Sequence, residues 1–231
     1  MNRITIIPLK LGPYQVNTYI VICQETGASI IIDPAGAPRT ILDTLDRERA
    51  SPLLVLNTHG HPDHVLANAA LKAALNIPVC MHAADSGLYA DSPEVAALEA
   101  QTGLTVDTSA DRLIGDGDQI PMGETMIRVL HTPGHTPGSC CFLVEGHLFT
   151  GDTLFVGDVG RTDLKGGSLD RLIRSIAEKL IGLPDDTRIW PGHDYHLDAP
   201  SEIAGDELAT LGREKRENPY ITDFILDGGE E

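Results

Sequence analysis

The chain has 231 residues, of which 42% are hydrophobic and 22% charged, so it is long enough to bury a substantial core within one domain. Its 34 acidic residues against 17 Lys and Arg give a formal net charge of −17, which disfavours nucleic acid and membranes as partners. No apolar run approaches the ~20 residues of a membrane span, and no signal peptide is predicted, so a cytoplasmic location is expected.

The predicted elements fall into two blocks, each with strands first and helices later. The first block has strands at "ITIIPL", "NTYIVIC", "SIIIDP", "PLLVLN" and "IPVCMH", with helices at "APRTILDTLDRE" and "HVLANAALKAALN". The second has strands at "ETMIRVLHT", "SCCFLVEG", "HLFTGD" and "TRIWPG", with a helix at "SLDRLIRSIAEKLI". This order favours an α/β fold of two packed sheets with helices outside, in a single domain over residues 1–231 that ends in a short helical extension from about 201.

The four cysteines, Cys23, Cys80, Cys140 and Cys141, form no C-x-x-C pair. In a cytoplasmic chain they are expected to be buried thiols rather than disulfides or metal ligands.

One short segment, "THGHPDH", carries four side chains able to bind a metal ion, directly after the apolar run "PLLVLN". They are His59, His61, Asp63 and His64. Three more residues of this kind, His135, Asp152 and His193, stand where predicted strands end in glycine-rich or polar turns. Loops at strand ends hold side chains rigidly around a common cavity, so these distant segments are expected to converge.

The seven side chains divide into two candidate metal sites that share one carboxylate. One site would contain His59, His61, His135 and Asp152, and the other Asp63, His64, His193 and Asp152. Imidazole and carboxylate ligands without thiolates suit zinc, iron or manganese, and a coordination position left open to water is typical of a catalytic site. We expect two divalent ions, most simply zinc.

Two such ions would hold a bridging hydroxide at neutral pH, which predicts hydrolysis of a carbonyl compound. Asp152 as the bridge and Asp63 as a ligand that orients the hydroxide are the expected catalytic residues. The sequence contains no G-x-S-x-G nucleophile elbow, no Walker-type loop and no G-x-G-x-x-G motif, so it indicates neither a serine nucleophile nor a nucleotide-binding loop.

The segments "THGHPDH", "PGHTPGS", "GDTLF" and "PGHDYH", in this order, resemble the metallo-β-lactamase fold superfamily. The resemblance spans nearly the whole chain and implies a four-layer αβ/βα sandwich, with two mixed sheets and the metals at one edge. It also implies the same ligand scheme. Asp152 matches the bridging aspartate of glyoxalase II-like members, which true β-lactamases of this fold lack, so antibiotic cleavage is not the expected activity.

Within the superfamily, "GRTDL", "GHDYH" and "REKRENPY" resemble glyoxalase II-like hydrolases and persulfide dioxygenases, both of which act on glutathione derivatives. The glyoxalase II resemblance implies that Arg161 and Tyr195 contact the glutathione moiety. An ion pair between Arg161 and Asp163 that braces the loop is an alternative role. Only 38 residues follow His193, too few for the long C-terminal domain of full-length glyoxalase II.

The favoured function is a dinuclear-metal thioesterase acting on an S-acyl glutathione or a similar small anionic thioester. The alternative is a mononuclear non-haem iron persulfide dioxygenase with His59, His135 and Asp152 as ligands. Another ester or lactone hydrolase of this fold, and a metal-dependent binding domain, are the remaining hypotheses.

Overall fold

Two mixed β-sheets form the centre of the protein, in a computed structural model that describes residues 3–194 and 209–226. The first sheet has six strands in chain order: β1 (Ile4–Leu11), β2 (Val16–Cys23), β3 (Ala28–Ile32), β4 (Ser51–Leu56), β5 (Val79–His82) and β6 (Arg112–Ile114). Strands β1 to β3 pair antiparallel, and β3 to β6 pair parallel.

The second sheet has five strands in the order β11-β10-β9-β8-β7. They are β7 (Gln119–Met122), β8 (Thr125–His131), β9 (Cys140–Val144), β10 (His147–Gly151) and β11 (Arg188–Pro191). Strands β7 to β10 pair antiparallel, whereas β10 and β11 are parallel. The crossover between β10 and β11 carries the helix that covers this sheet.

The helices in the described ranges are α1 (Pro38–Glu48), α2 (Asn68–Leu75), α3 (Pro93–Thr102), α4 (Leu169–Ser175), α5 (Leu211–Glu217) and α6 (Pro219–Ile221). Helix α4 continues as a π-helical turn, Ile176–Leu180, and α6 continues as another, Thr222–Leu226. None of the described helices is both long and apolar enough to cross a bilayer.

Successive side chains of a strand pack on opposite faces of its sheet. Ile30 and Ile32 of β3 belong to the cluster between the sheets, with Phe142 and Phe149, whereas Ile31 belongs to the cluster that includes Ile41 and Leu71 of α1 and α2. A third cluster packs Leu172 of α4 against Leu148 of β10. The layers are therefore helix, sheet, sheet and helix, and the predicted four-layer sandwich is confirmed.

The main differences from the predicted elements lie around the metal-ligand motif and in the middle of the chain. Helix α2 begins at Asn68 rather than near His64, because His64 N–H bonds the carbonyl of His61 and Asn68 N–H bonds that of Val65 in successive turns. Helix α3 and the short strands β6 and β7 have no predicted counterpart. All four cysteines are buried and free, as expected. The single-domain assignment stays a prediction.

Hydrogen bonds between the two halves hold the strand ends together at one edge of the sandwich. Cys140 N–H, at the start of β9, donates to the carbonyl of Thr58 at 2.8 Å. Asn17 N–H in β2 donates to the carbonyl of Gly192, just after β11, also at 2.8 Å. The loops that follow β4, β8, β10 and β11 therefore meet at this edge.

Candidate metal centre

Two buried carboxylates shape the loop that carries His59 to His64. Asp33 accepts hydrogen bonds from Thr58 N–H at 2.7 Å and from Thr58 Oγ1 at 2.6 Å. Asp85 accepts from Gly60 N–H at 2.9 Å. Because each carboxylate holds main-chain groups beside a histidine, these hydrogen bonds stabilise the loop conformation.

Asp85 also holds the second loop of the site. It accepts hydrogen bonds from Thr136 Oγ1 at 2.6 Å and from Gly138 N–H at 2.7 Å, on either side of the turn that follows His135. A Cβ atom at Gly138 would clash with this carboxylate, so glycine is required for the close approach. One buried side chain thus fixes the spacing between two loops that lie far apart in sequence.

The first predicted group converges in the structure. Nitrogen atoms of His59, His61 and His135 lie within 4.8 Å of one another, and all three side chains are buried. His61 Nδ1 lies 2.9 Å from His135 Nε2. His135 Nδ1 lies 2.7 Å from the carbonyl oxygen of Arg161 and therefore carries the proton, which leaves its Nε2 lone pair directed into the group.

The second predicted group converges beside the first. Ligand atoms of Asp63, His64 and His193 also lie within 4.8 Å of one another. His64 Nε2 is 3.2 Å from His193 Nε2, and His193 Nε2 is 3.5 Å from Asp63 Oδ2. These separations place three potential ligand atoms around a common point.

Asp152 lies between the two groups. Its Oδ1 is 3.5 Å from His64 Nε2, and its Oδ2 is 3.5 Å from His135 Nε2. The side chain follows directly after Gly151, the last residue of β10. A Cβ atom at Gly192 would clash with the Asp152 carboxylate, so a glycine after β11 lets the two strand ends approach. Oδ1 therefore faces the second group, whereas Oδ2 faces the first group and also lies 3.7 Å from His193 Nε2.

Two ligand-type atoms at this centre lack a protein partner, which fits a metal site. His59 Nε2 and Asp152 Oδ1 are buried and have no hydrogen-bond partner in the described part of the chain. Burying such atoms unpaired is costly, whereas coordination would satisfy them. The donor set, imidazole and carboxylate, suits zinc, iron or manganese. The individual ligand assignments and the number of ions stay predictions.

Asp33 lies beside the candidate centre and was not identified from the sequence. It lies close to His59 and His64 and offers a possible ligand oxygen. However, Asp33 already accepts two hydrogen bonds from Thr58 and faces His64 Nδ1 at 3.0 Å. Its place is therefore behind His64, where it orients the ring. Its position in "IIIDP", at the end of an apolar strand, is the only sequence signal for this role.

The first group is electrically suited to bind a cation. Burial lowers the pKa of His59 well below its usual value, and the neighbouring histidines lower it further. Burial likewise lowers the pKa of His61 to about 3. Both imidazoles are therefore neutral at physiological pH and keep a lone pair for coordination.

The second group behaves differently because it contains carboxylates. Burial lowers the pKa of His64, but Asp63, Asp152 and Asp33 outweigh burial and raise it to about 10. Burial raises the pKa of Asp63, but His64 and His193 outweigh burial and hold it below its usual range. Asp63 is therefore ionised at neutral pH, and a cation binding here would displace a proton from His64.

A cavity of about 470 Å³ opens beside Asp152 and is suited to hold a substrate. Its lining includes Phe155, Val159, Arg161, Leu169 and Tyr220. Sequence reasoning did not identify Tyr220, which the last helices bring to this cavity from the far end of the chain. Tyr220 is the last residue of "REKRENPY", a segment whose resemblance assigned this tyrosine no role.

The two predicted substrate contacts have different outcomes. Arg161 lines the cavity, and its guanidinium group forms two hydrogen bonds with the carboxylate of Asp163, both at 2.7 Å. This ion pair is the contact expected for its alternative role, and the role itself stays a prediction. Tyr195 lies outside the described residues.

Comparison with known proteins agrees with the fold and the site. Residues 11–193 match the family model of the metallo-β-lactamase superfamily. The human mitochondrial persulfide dioxygenase ETHE1 is 33% identical over 210 residues, which cover 89% of this chain and 71% of that protein. The crystal structure of the BLEG-1 B3 metallo-β-lactamase superimposes with a TM-score of 0.80 at 33% identity, covering 94% of this chain and 100% of that one.

A further similar structure was solved with bound metal. TTHA1623, crystallised in a di-iron-bound form, superimposes with a TM-score of 0.75 at 36% identity, covering 93% of this chain and 99% of that chain. The family match, these similarities and the His/Asp cluster agree with one another. The chain therefore belongs to the metallo-β-lactamase superfamily, a family of metal-binding hydrolases and related enzymes.

Proposed function

We propose that this protein is a dinuclear-metal thioesterase of the glyoxalase II type, acting on an S-acyl glutathione or a similar small thioester. The observation that carries the proposal is the position of Asp152, which offers one oxygen to each of two complete groups of ligand-type side chains.

When bound, two divalent ions would lower the pKa of water toward ~7 and polarise the thioester carbonyl. The protein's own residues prepare this reaction. Asp33 and the carbonyl of Arg161 fix the tautomers of His64 and His135, so that both Nε2 atoms face the centre. Asp63, held ionised by His64 and His193, would accept a hydrogen bond from the attacking water and orient it.

The cavity beside Asp152 supports binding of a small substrate next to these groups. Phe155, Val159 and Leu169 provide apolar walls, and Arg161 is a cation on the same wall segment. We assign Arg161 to an anionic part of the substrate, such as a glutathione carboxylate. Asp163 would then hold the guanidinium group in place until the substrate arrives.

A persulfide dioxygenase is the second candidate, favoured by the similarity to the human enzyme. That reaction would use a single iron held by His59, His135 and Asp152, an arrangement with two histidines and one carboxylate. It would leave Asp63, His64 and His193 without a direct role, although these residues are buried or nearly buried and held together as tightly as the first group.

The test combines metal analysis with two assays on protein expressed without added metal. Elemental analysis should give about two ions per chain, and the protein should hydrolyse a short-chain S-acyl glutathione without consuming oxygen. About one iron per chain, together with oxygen uptake on glutathione persulfide, would instead establish the dioxygenase. A chromogenic β-lactam provides a third assay, in which we expect no comparable turnover.

A further inference from the structure

A second cavity, of about 340 Å³, lies between the end of β8 and the helix formed by α4 and its π-helical continuation. Its lining combines the basic side chains His131, Arg171, Arg174 and Lys179 with the acidic Asp116 and Glu178. Among the described residues it shares no lining side chain with the cavity beside Asp152. It is therefore a separate feature of the surface.

Two arginines dominate this cavity. Arg171 and Arg174 lie about one turn apart on α4, so their side chains project from the same side of the helix. In the described part of the chain, neither guanidinium group has an ion-pair or hydrogen-bond partner. Such a pair of donor forks matches the oxygen atoms of a phosphate or carboxylate group.

The local charge is positive although the whole chain is strongly acidic. Lys179 forms an ion pair with Asp116 at 2.7 Å, so these two charges largely cancel. Arg171 and Arg174 then face a single remaining acid, Glu178. Although the chain has a net charge of −17, this local excess of positive charge would attract small anions to the cavity.

The walls of the cavity are held in place by contacts within the protein. Ser175 Oγ donates to the carbonyl of Pro133 at 2.7 Å, which joins the helix to the loop after β8. Asp116 accepts from His131 N–H at 2.9 Å while it pairs with Lys179, which closes the other end. These contacts hold the walls in place, so that ligand binding would mainly order the exposed side chains of Arg171 and Arg174.

We propose that this cavity is a binding site for a small oxyanion, with Arg171 and Arg174 as its principal ligands. The chemistry shared by possible ligands is a cluster of negatively charged oxygens, carried by a phosphate or by carboxylates. The volume lies at the low end of the ~300–1,000 Å³ typical of small-molecule sites, which leaves room for a small anion such as phosphate or citrate.

NMR titration of the zinc-loaded protein with inorganic phosphate, and separately with citrate, tests the proposal. Binding should shift amide signals of residues 171–179. The double variant R171Q/R174Q should bind at least about tenfold more weakly, as expected for the loss of charge-assisted hydrogen bonds. The matched control R39Q/R47Q removes the same charge from exposed, paired arginines on α1 and should bind as the wild type does.

A further variant, Glu178→Gln, removes the opposing acid and should tighten binding of the anion. It tests the proposal independently of whether R171Q/R174Q folds. Tighter binding of phosphate than of citrate would assign the site to phosphate, and the reverse to carboxylates. Shifts confined to the metal-centre loops, absence of binding, or equal weakening in both double variants would overturn the proposal.

Discussion

Asp33 Oδ2 lies 3.0 Å from His64 Nδ1, and both side chains are buried. This contact selects the ring orientation in which His64 Nε2 points at His193 and Asp152. A carboxylate behind a metal-binding histidine also makes the ring more basic and therefore a better ligand. The second group of side chains thus depends on a residue that belongs to neither group.

Asp33→Asn should weaken binding of the second metal ion by about 10- to 100-fold, because the amide holds His64 less strongly. Asparagine is the conservative choice, since Asp33 has a φ of 46° and asparagine tolerates this conformation better than most residues. Metal titration followed by calorimetry measures the effect. Asp43→Asn, on the exposed face of α1, is the matched control. Unchanged metal affinity would mean that Asp33 only stabilises the loop.

The residues of the two groups were predictable from the sequence because their residue types and their positions are both typical of metal ligands. His59, His61, Asp63 and His64 lie within one short segment, and the other three stand at strand ends before glycine-rich or polar turns. Periodicity likewise predicted the long strands, which are rich in apolar residues, and α1, whose few apolar residues recur at helical spacing. Strands β6 and β7 were not predicted, because strands of three and four residues are too short to show an alternating pattern of apolar and polar residues.

The support behind the groups was not predictable for a physical reason. Asp85 bonds the main chain of Gly60 and Gly138, which are 25 and 53 residues away in sequence. A hydrogen bond to a main-chain group does not depend on the residue type of the partner. Such a contact therefore cannot be predicted from the sequence and becomes visible only in the folded structure. Tyr220 reaches the substrate cavity in the same way, through the packing of the C-terminal helices.

Asp152→Ala should reduce the occupancy of both metal sites and lower thioester hydrolysis at least about a hundredfold, because one side chain serves both groups. Elemental analysis and steady-state kinetics measure the two effects. Asp46→Ala, which removes a carboxylate from α1, is the control. Full metal content in the Asp152 variant would contradict its bridging role.

His193→Ala should leave about one metal ion per chain and greatly reduced hydrolysis, since only the second group loses a ligand. A dioxygenase that uses the first group alone should tolerate this change. His82→Ala removes a histidine outside both groups and should keep the metal content of the wild type. Wild-type thioesterase activity in the His193 variant would refute the dinuclear mechanism.

Arg161→Ala separates substrate binding from loop bracing. If Arg161 binds a glutathione carboxylate, the variant should raise KM about ten- to a hundredfold for glutathione thioesters and much less for small neutral thioesters. Asp163→Ala removes the brace but keeps the cation, and should therefore have a smaller effect on KM. Equal losses in the two variants, on both kinds of substrate, would show that the pair only braces the loop.

Glu214 joins the C-terminal helices to the wall of the substrate cavity. This buried carboxylate accepts hydrogen bonds from Gly157 N–H at 2.8 Å and from Asn218 Nδ2 at 2.9 Å. Asn218 in turn donates to the carbonyl of Asp158, which lines the cavity. Glu214→Ala should cost about 1–3 kcal/mol of unfolding free energy, because it leaves buried donors unpaired.

The charge of Glu214 adds a pH dependence with a defined sign. Burial raises its pKa above the usual value, although the bonds from Gly157 and Asn218 oppose the shift. Because the folded state holds this proton more tightly than the unfolded chain, the group's stabilising contribution is complete below the unfolded pKa of about 4.3 and is lost as pH rises through the folded pKa. Glu214→Gln cannot titrate and should abolish this loss. Thermal unfolding of the wild type and of Glu214→Gln between about pH 4 and pH 7 measures this loss of stability. If the melting temperatures of the two proteins changed with pH in the same way, the Glu214 proton would make no contribution.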